Sequence, residues 1–102
     1  MIQNPQTNLE DFYNLPFVLA YAVLDECLSE LVTQRVFACS DRNIGPKMKA
    51  SQGAITWKDY HLVDTGRDRR NDVAHRAELQ SKADCLRYIQ AIEDELKAWG
   101  VM

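Results

Sequence analysis

The sequence predicts an all-α fold: an up-and-down bundle of three long helices and one or two short ones, in a single domain over 1–102. Three observations carry this. Phe17, Tyr21, Leu24, Leu28 and Leu31 recur at steps of four and three, with Val18 and Val32 beside them, which gathers apolar side chains on one side of a helix. Leu86, Ile89, Ile92, Leu96 and Trp99 repeat that spacing near the end of the chain. No segment alternates apolar and polar residues long enough to make a strand. With only Gly 4 and Pro 3, the chain is also poorly equipped for the tight turns of an all-β fold or for a glycine-rich phosphate loop. Its 102 residues, 46% of them apolar, suit one domain with a modest core and are too few for two.

Taken in order, residues 1–7 are polar, contain Pro5, and read as a frayed lead-in. Thr7 and Glu10 have the spacing of a capping box, and Pro16 allows either a fresh helix start or a kink. The first long helix is expected from Phe17 to about Phe37, with Asp25, Glu26, Ser29 and Glu30 off its apolar stripe. Gly45-Pro46 then breaks the chain, and Pro46 suits the first position of a short helix ending near Gly53. Thr56 with Asp59 predicts a capped helix from Trp57 to about Glu78. Ser81 with Asp84 predicts a second cap, opening a last helix that Gly100 ends.

Net charge is −3, so there is no global basic field for nucleic acid, although a local patch remains open. Arg42, Lys47, Lys49 and Lys58 lie in a stretch without acids, and Arg67, Arg69, Arg70 and Arg76 outnumber Asp68 and Asp72 nearby. Positive charge is thus confined to the middle of the chain, where it could steer RNA or simply be a solvated linker. Cys27, Cys39 and Cys85 are odd in number, form no CxxC, and cluster with neither histidine. They fit neither a disulfide framework nor a zinc site, and Cys27 and Cys85 read as buried thiols. No metal or other cofactor is expected. The longest apolar run, Leu15 to Leu24, is about ten residues against the ~20 of a membrane span. No signal peptide is recognisable, so the expected location is the cytoplasm, with no membrane partner.

The helix expected over Trp57–Glu78 departs from its own pattern. Its stripe of Leu62, Gly66, Val73 and Ala77 should carry a hydrophobic residue near position 69 or 70, where Arg69 and Arg70 stand. Arginine on a packing face needs a partner or a wet cleft, and Gly66 and Ala74 keep the backbone open on either side. His75 follows five residues after Arg70, roughly 140° around the helix, and Asn71 lies one turn before His75 on the same side. A guanidinium is the fork best matched to phosphate, and imidazole is the side chain best suited to proton transfer near neutral pH. Asn71 could orient the imidazole or bond a phosphate oxygen. Together these groups suit an anionic phosphodiester.

The string Arg70-Asn71-Asp72-Val73-Ala74-His75 resembles the signature of the HEPN superfamily (higher eukaryote and prokaryote nucleotide-binding): arginine, a polar residue that is often asparagine, a short spacer, then histidine. The resemblance extends over residues 15–99, through a long acidic leading helix, a glycine-containing passage and a Trp57-Lys58-Asp59-Tyr60 helix start, but only the six-residue string is specific. It implies a four- or five-helix bundle that forms a homodimer and acts as a metal-independent endoribonuclease of the toxin–antitoxin kind. Arg70 would then stabilise the scissile phosphate of an RNA, His75 would transfer protons during 2′-hydroxyl attack, and Asn71 would support them. A nucleotidyltransferase-type antitoxin is an implied partner. One group of such toxins carries a modifiable tyrosine two residues after the histidine; here that position is Ala77, which departs from that mode of control. Other members bind proteins or nucleotides without catalysis, and mannitol operon repressor proteins carry a similar string.

Plainer readings stand beside this one. Arg70 could pair with Asp64 or with an acid of the first helix. His75 could be satisfied by Asp72, Asn71 or Glu78, and Arg70 and His75 could be ion pairs at the interface of a plain helical dimer. Trp57 and Tyr60 read as helix-start packing residues, and His61 lacks a motif context.

Overall fold

The computed structural model describes residues 9–102, and among them there are helices and no strands. A 3-10 turn, Leu9–Tyr13, leads into α1, Asn14–Thr33; α2 is Ile44–Ser51, α3 Tyr60–Arg76 and α4 Lys82–Ala98. The all-α bundle of three long helices and a short one is therefore what forms. The expected Thr7 cap falls outside the described residues. Among the described residues no helix is long and apolar enough to cross a membrane.

The buried face of α1 is the one the spacing predicts: Phe17, Tyr21, Leu24 and Leu28 are all buried. The helix begins at Asn14, earlier than expected, because Pro16 occupies its first turn, where a missing N–H costs nothing. Asn14 fixes that start. Its side-chain oxygen accepts from Gln80 N at 2.8 Å, and its amide nitrogen donates to Gln80 O at 3.0 Å. The helix stops at Thr33 rather than Phe37 because Arg35 turns left-handed, with φ 64°. Val36 N then donates to Leu31 O at 2.9 Å and Arg35 N to Val32 O at 3.0 Å, the pairing that closes a helix C-terminus. Residues 34–43 return along the bundle, and α2 starts two residues before Pro46.

α3 begins at Tyr60, not Trp57, for a reason that lies on another helix. Glu95, buried on α4, accepts from Lys58 N and from Asp59 N, each at 2.6 Å. This carboxylate holds 58–59 outside the helix, as a bend ahead of it. The cap is then Asp59, whose side chain accepts from Leu62 N at 3.1 Å. Trp57, left outside the helix, packs edge-on against Trp99 at 4.8 Å and Tyr60 at 5.3 Å. At the other end Ala77, expected on the apolar stripe, is exposed and left-handed at φ 54°. α4 opens as predicted, with Ser81 accepting from Asp84 N at 3.1 Å, and Gly100 ends it at φ 78°. Its core face is Cys85, Tyr88, Ala91, Ile92 and Leu96, whereas Leu86, expected inside, is exposed.

The Asn14–Gln80 contact brings the starts of α1 and α4 together, and Cys27 and Leu31 share a cavity with Ala98 and Trp99 at their ends. The two helices therefore run parallel, and α3 runs back between their ends. Three tyrosine and phenylalanine rings mark the seam. Phe17 stacks on Tyr88 at 5.7 Å and meets Tyr21 edge-on at 5.6 Å, while Tyr21 Oη donates to Val63 O at 2.7 Å. α3 can come this close only because Gly66 faces the two tyrosines: a Cβ there would sit 2.6 Å from Tyr88 Cδ1 and closer still to Tyr21 Oη.

Candidate functional site

Val63, Gly66, Arg70 and Val73 follow one another at steps of three and four on α3, and all four are buried or half-buried. Arg70 thus stands on the packing face, as the sequence suggests. Its Nε is buried without a hydrogen-bond partner, and Arg70 makes no ion pair among the described residues. Both acids that might have neutralised it are engaged elsewhere. Asp64 takes Arg67, with Nε to Oδ1 at 2.9 Å, and Asp25 on α1 takes Lys47, with Nζ to Oδ1 at 2.8 Å.

Arg70 lines a cavity of about 230 Å³ between α1, the start of α2 and α3, together with Val18, Tyr21, Ala22, Asp25, Arg42 and Asn43. Two arginines, Arg70 from α3 and Arg42 from the segment ahead of α2, and one already paired carboxylate make this a cationic hollow. The phenol of Tyr21 is pushed far above its ordinary pKa, first by burial and then by Tyr88, while the charge of Arg70 acts in the opposite sense. It therefore serves the cavity as a neutral hydroxyl whose proton is committed to Val63 O.

The other two sequence-derived candidates lie apart from this hollow. Asn71 is half-buried and His75 is exposed in the last turn of α3; neither lines the cavity, and no hydrogen bond joins Arg70, Asn71 and His75 among the described residues. Of the partners suggested for His75, Asp72 meets Arg69 at 3.7 Å and Arg76 at 3.9 Å. Of the central cations, Lys47 is buried and bonded to Asp25 and Ser29 Oγ, which removes it from any RNA-steering patch. Arg42 stays exposed and lines the cavity.

In the sequence Arg42 stands only in a basic stretch and Asp25 only among the acids off the α1 stripe, and Asn43 is not singled out. The signal was present: the Gly45-Pro46 break places residues 42–43 directly ahead of a helix start. A larger cavity of about 510 Å³ at the ends of α1 and α4 is mainly apolar, with Leu31, Ile55, Trp99 and Val101 in its walls. None of the sequence-derived site residues reaches it. Among the described residues no cluster of three or more His, Cys, Asp or Glu is arranged to hold a metal.

The fold and site define a small helical bundle with a half-buried cationic hollow between its first three helices. No protein-family model, curated protein or solved structure matches the chain.

Proposed function

We propose that this chain is a HEPN-like module that receives an RNA phosphate at Arg70 and acts as a metal-independent endoribonuclease. One observation carries the reading: Arg70 is half-buried on a packing face with no acid paired to it among the described residues, Asp64 and Asp25 being held by Arg67 and Lys47. A guanidinium partly withdrawn from water, with its Nε left without a partner, carries a desolvation cost, and an external anion offsets it. The volume narrows the ligand. At about 230 Å³ the hollow is below the roughly 300–1,000 Å³ of sites that engulf small molecules. It suits one phosphate of a strand lying across the surface better than a whole enclosed nucleotide.

In this reading Arg70, with Arg42 in the same hollow, stabilises charge on the phosphate as the 2′-hydroxyl attacks phosphorus. The P–O2′ bond forms and the P–O5′ bond breaks, giving a 2′,3′-cyclic phosphate and a 5′-hydroxyl. His75 carries a proton between the attacking and leaving oxygens and the solvent, and Asn71, one turn before it, supports them by orienting the imidazole or bonding a phosphate oxygen. The module works as a homodimer in the cytoplasm, with a nucleotidyltransferase-type antitoxin as partner.

A second reading is favoured by a specific observation: His75 is exposed and outside the hollow. A module that binds RNA phosphate without cleaving it needs Arg70 and no histidine. Incubating the protein with RNA in EDTA, beside His75→Ala and Arg70→Ala, separates the two. Cleavage lost in both variants supports the nuclease. Binding that needs Arg70, with no cleavage in any of the three, selects the non-catalytic module; RNA neither bound nor cut by the wild type removes both.

A further inference from the structure

We propose that the cavity of about 510 Å³ at the ends of α1 and α4 is a binding site for an apolar amine, a small organic molecule whose hydrocarbon body fills the cavity and whose ammonium group pairs with Glu30. The site is separate from the Arg70 hollow and does not rest on the RNA reading. Three distant parts of the chain wall it: the last turns of α1, residues 55–56 between α2 and α3, and the stretch from Ala98 to Val101. Walls drawn from separate elements make a concavity, not one side of a helix. Leu31, Ile55 and Trp99 pack against the core, partly buried. Trp99 is further held by Trp57, edge-on at 4.8 Å, whose own Nε1 donates to Ser51 Oγ at 2.9 Å. The volume falls within the roughly 300–1,000 Å³ of sites that take small molecules, whereas the Arg70 hollow does not.

Charge selects the ligand. Glu30 is the one carboxylate in the lining, which holds no Lys, Arg or His. Its Oε1 accepts from Gln34 Nε2 at 3.2 Å, but among the described residues it has no basic partner, and neither has Glu26 one turn before it. Of the basic side chains next to the lining in sequence, Arg35 does not reach the cavity and Lys97 is held by Glu93 at 2.9 Å. The negative charge is felt inside: the Cys27 thiol in the wall is pushed above its usual range, by burial first and then by Glu26. An organic acid would be repelled here, and a neutral molecule would leave Glu30 unused. An ammonium group seated at Glu30 gains an ion pair beside a low-dielectric wall, while the body attached to it covers apolar surface.

The test uses one body with three head groups: 4-phenylbutylamine, 4-phenylbutan-1-ol and 4-phenylbutanoate, titrated at neutral pH and read by tryptophan fluorescence and calorimetry. The amine should bind with a Kd on the order of 0.1–1 mM, as suits about eleven non-hydrogen atoms. It should bind about three- to fivefold tighter than the alcohol, and the carboxylate should be the weakest. Glu30→Gln, at an exposed position, should fold normally, bind the alcohol as before and lose the preference for the amine. The place of binding is read on the wild type by maleimide labelling and mass spectrometry. Saturating amine should slow the labelling of Cys27, in the cavity wall, and leave that of Cys39, outside it, unchanged. No binding of any of the three, equal binding of all three, an amine preference that survives Glu30→Gln, or binding that does not protect Cys27 would each overturn the proposal. None of these readings involves RNA, so they stand apart from the outcome of the cleavage assay.

Discussion

Replacing Gly66 by alanine tests the packing that delivers Arg70 to its cavity. In an exposed helix this change adds about 1 kcal/mol of stability through helix propensity. Here the new methyl would lie 2.6 Å from Tyr88 Cδ1 and 2.9 Å from Tyr88 Cγ, with Tyr21 Oη nearer still. Neither ring can swing away, because Tyr21 and Tyr88 are both buried. Overpacking of this kind costs about 1–3 kcal/mol. Displacing Tyr21 also leaves Val63 O without the donor now 2.7 Å away, a further loss of about 1–2 kcal/mol. After the propensity gain, the net destabilisation is roughly 1–4 kcal/mol, or about 5–20 °C in Tm for a domain of this size. Thermal unfolding followed by circular dichroism reads this directly. Adding Tyr21→Phe removes the nearest clashing atom, so the double variant should be more stable than the two single losses sum to. A Gly66→Ala protein with unchanged or raised Tm would refute the close approach of α3 to the two tyrosines.

Three further outcomes are expected. Glu95→Gln places a donor against one of the two backbone N–H groups that Glu95 caps at 2.6 Å; it should cost about 2–3 kcal/mol and alter the fluorescence of Trp57, whereas full retention of stability would contradict the pinned 58–59 segment. Ala77→Gly relieves a left-handed alanine and should raise stability by about 0.5–1 kcal/mol; a loss of stability in chemical denaturation would contradict that backbone conformation. Burial raises the pKa of Tyr21 above its unfolded value, so its contribution is complete below about pH 10 and is lost as pH climbs beyond it. Wild-type stability should accordingly fall more steeply than that of Tyr21→Phe in alkaline titrations, and parallel curves would rule out the buried phenol as the cause.

Much of this molecule can be read along single helices, and what escapes the sequence is decided between them. The α1 stripe, the Ser81 cap and the Gly100 stop are local properties, and each forms as the residues dictate. Arg70 was recognisable for the same reason: it interrupts a periodic face. The start of α3 is not a local property: Thr56 and Asp59 have the spacing of a cap at Trp57, while the group that decides the matter, Glu95, lies far along the chain on α4. Leu86 was assigned to the core through its step to Ile89, but Cys85 and Tyr88 occupy the seam with α1. Lys47 looked like part of a basic patch; its burial depends on Asp25 and Ser29 of α1. The separation of His75 from the Arg70 hollow follows from which side of α3 meets α1 and α2, something the motif spacing alone does not contain.

The most direct measurement of the central claim is the affinity of a labelled single-stranded RNA for the wild type and for Arg70→Met at matched salt, with the stability of each protein determined in parallel. A guanidinium held in reserve for a phosphate should, when replaced, weaken binding by about 10- to 100-fold while stability is kept or improved. Equal affinities, or a variant that fails to fold because the arginine was holding the bundle together, would contradict it.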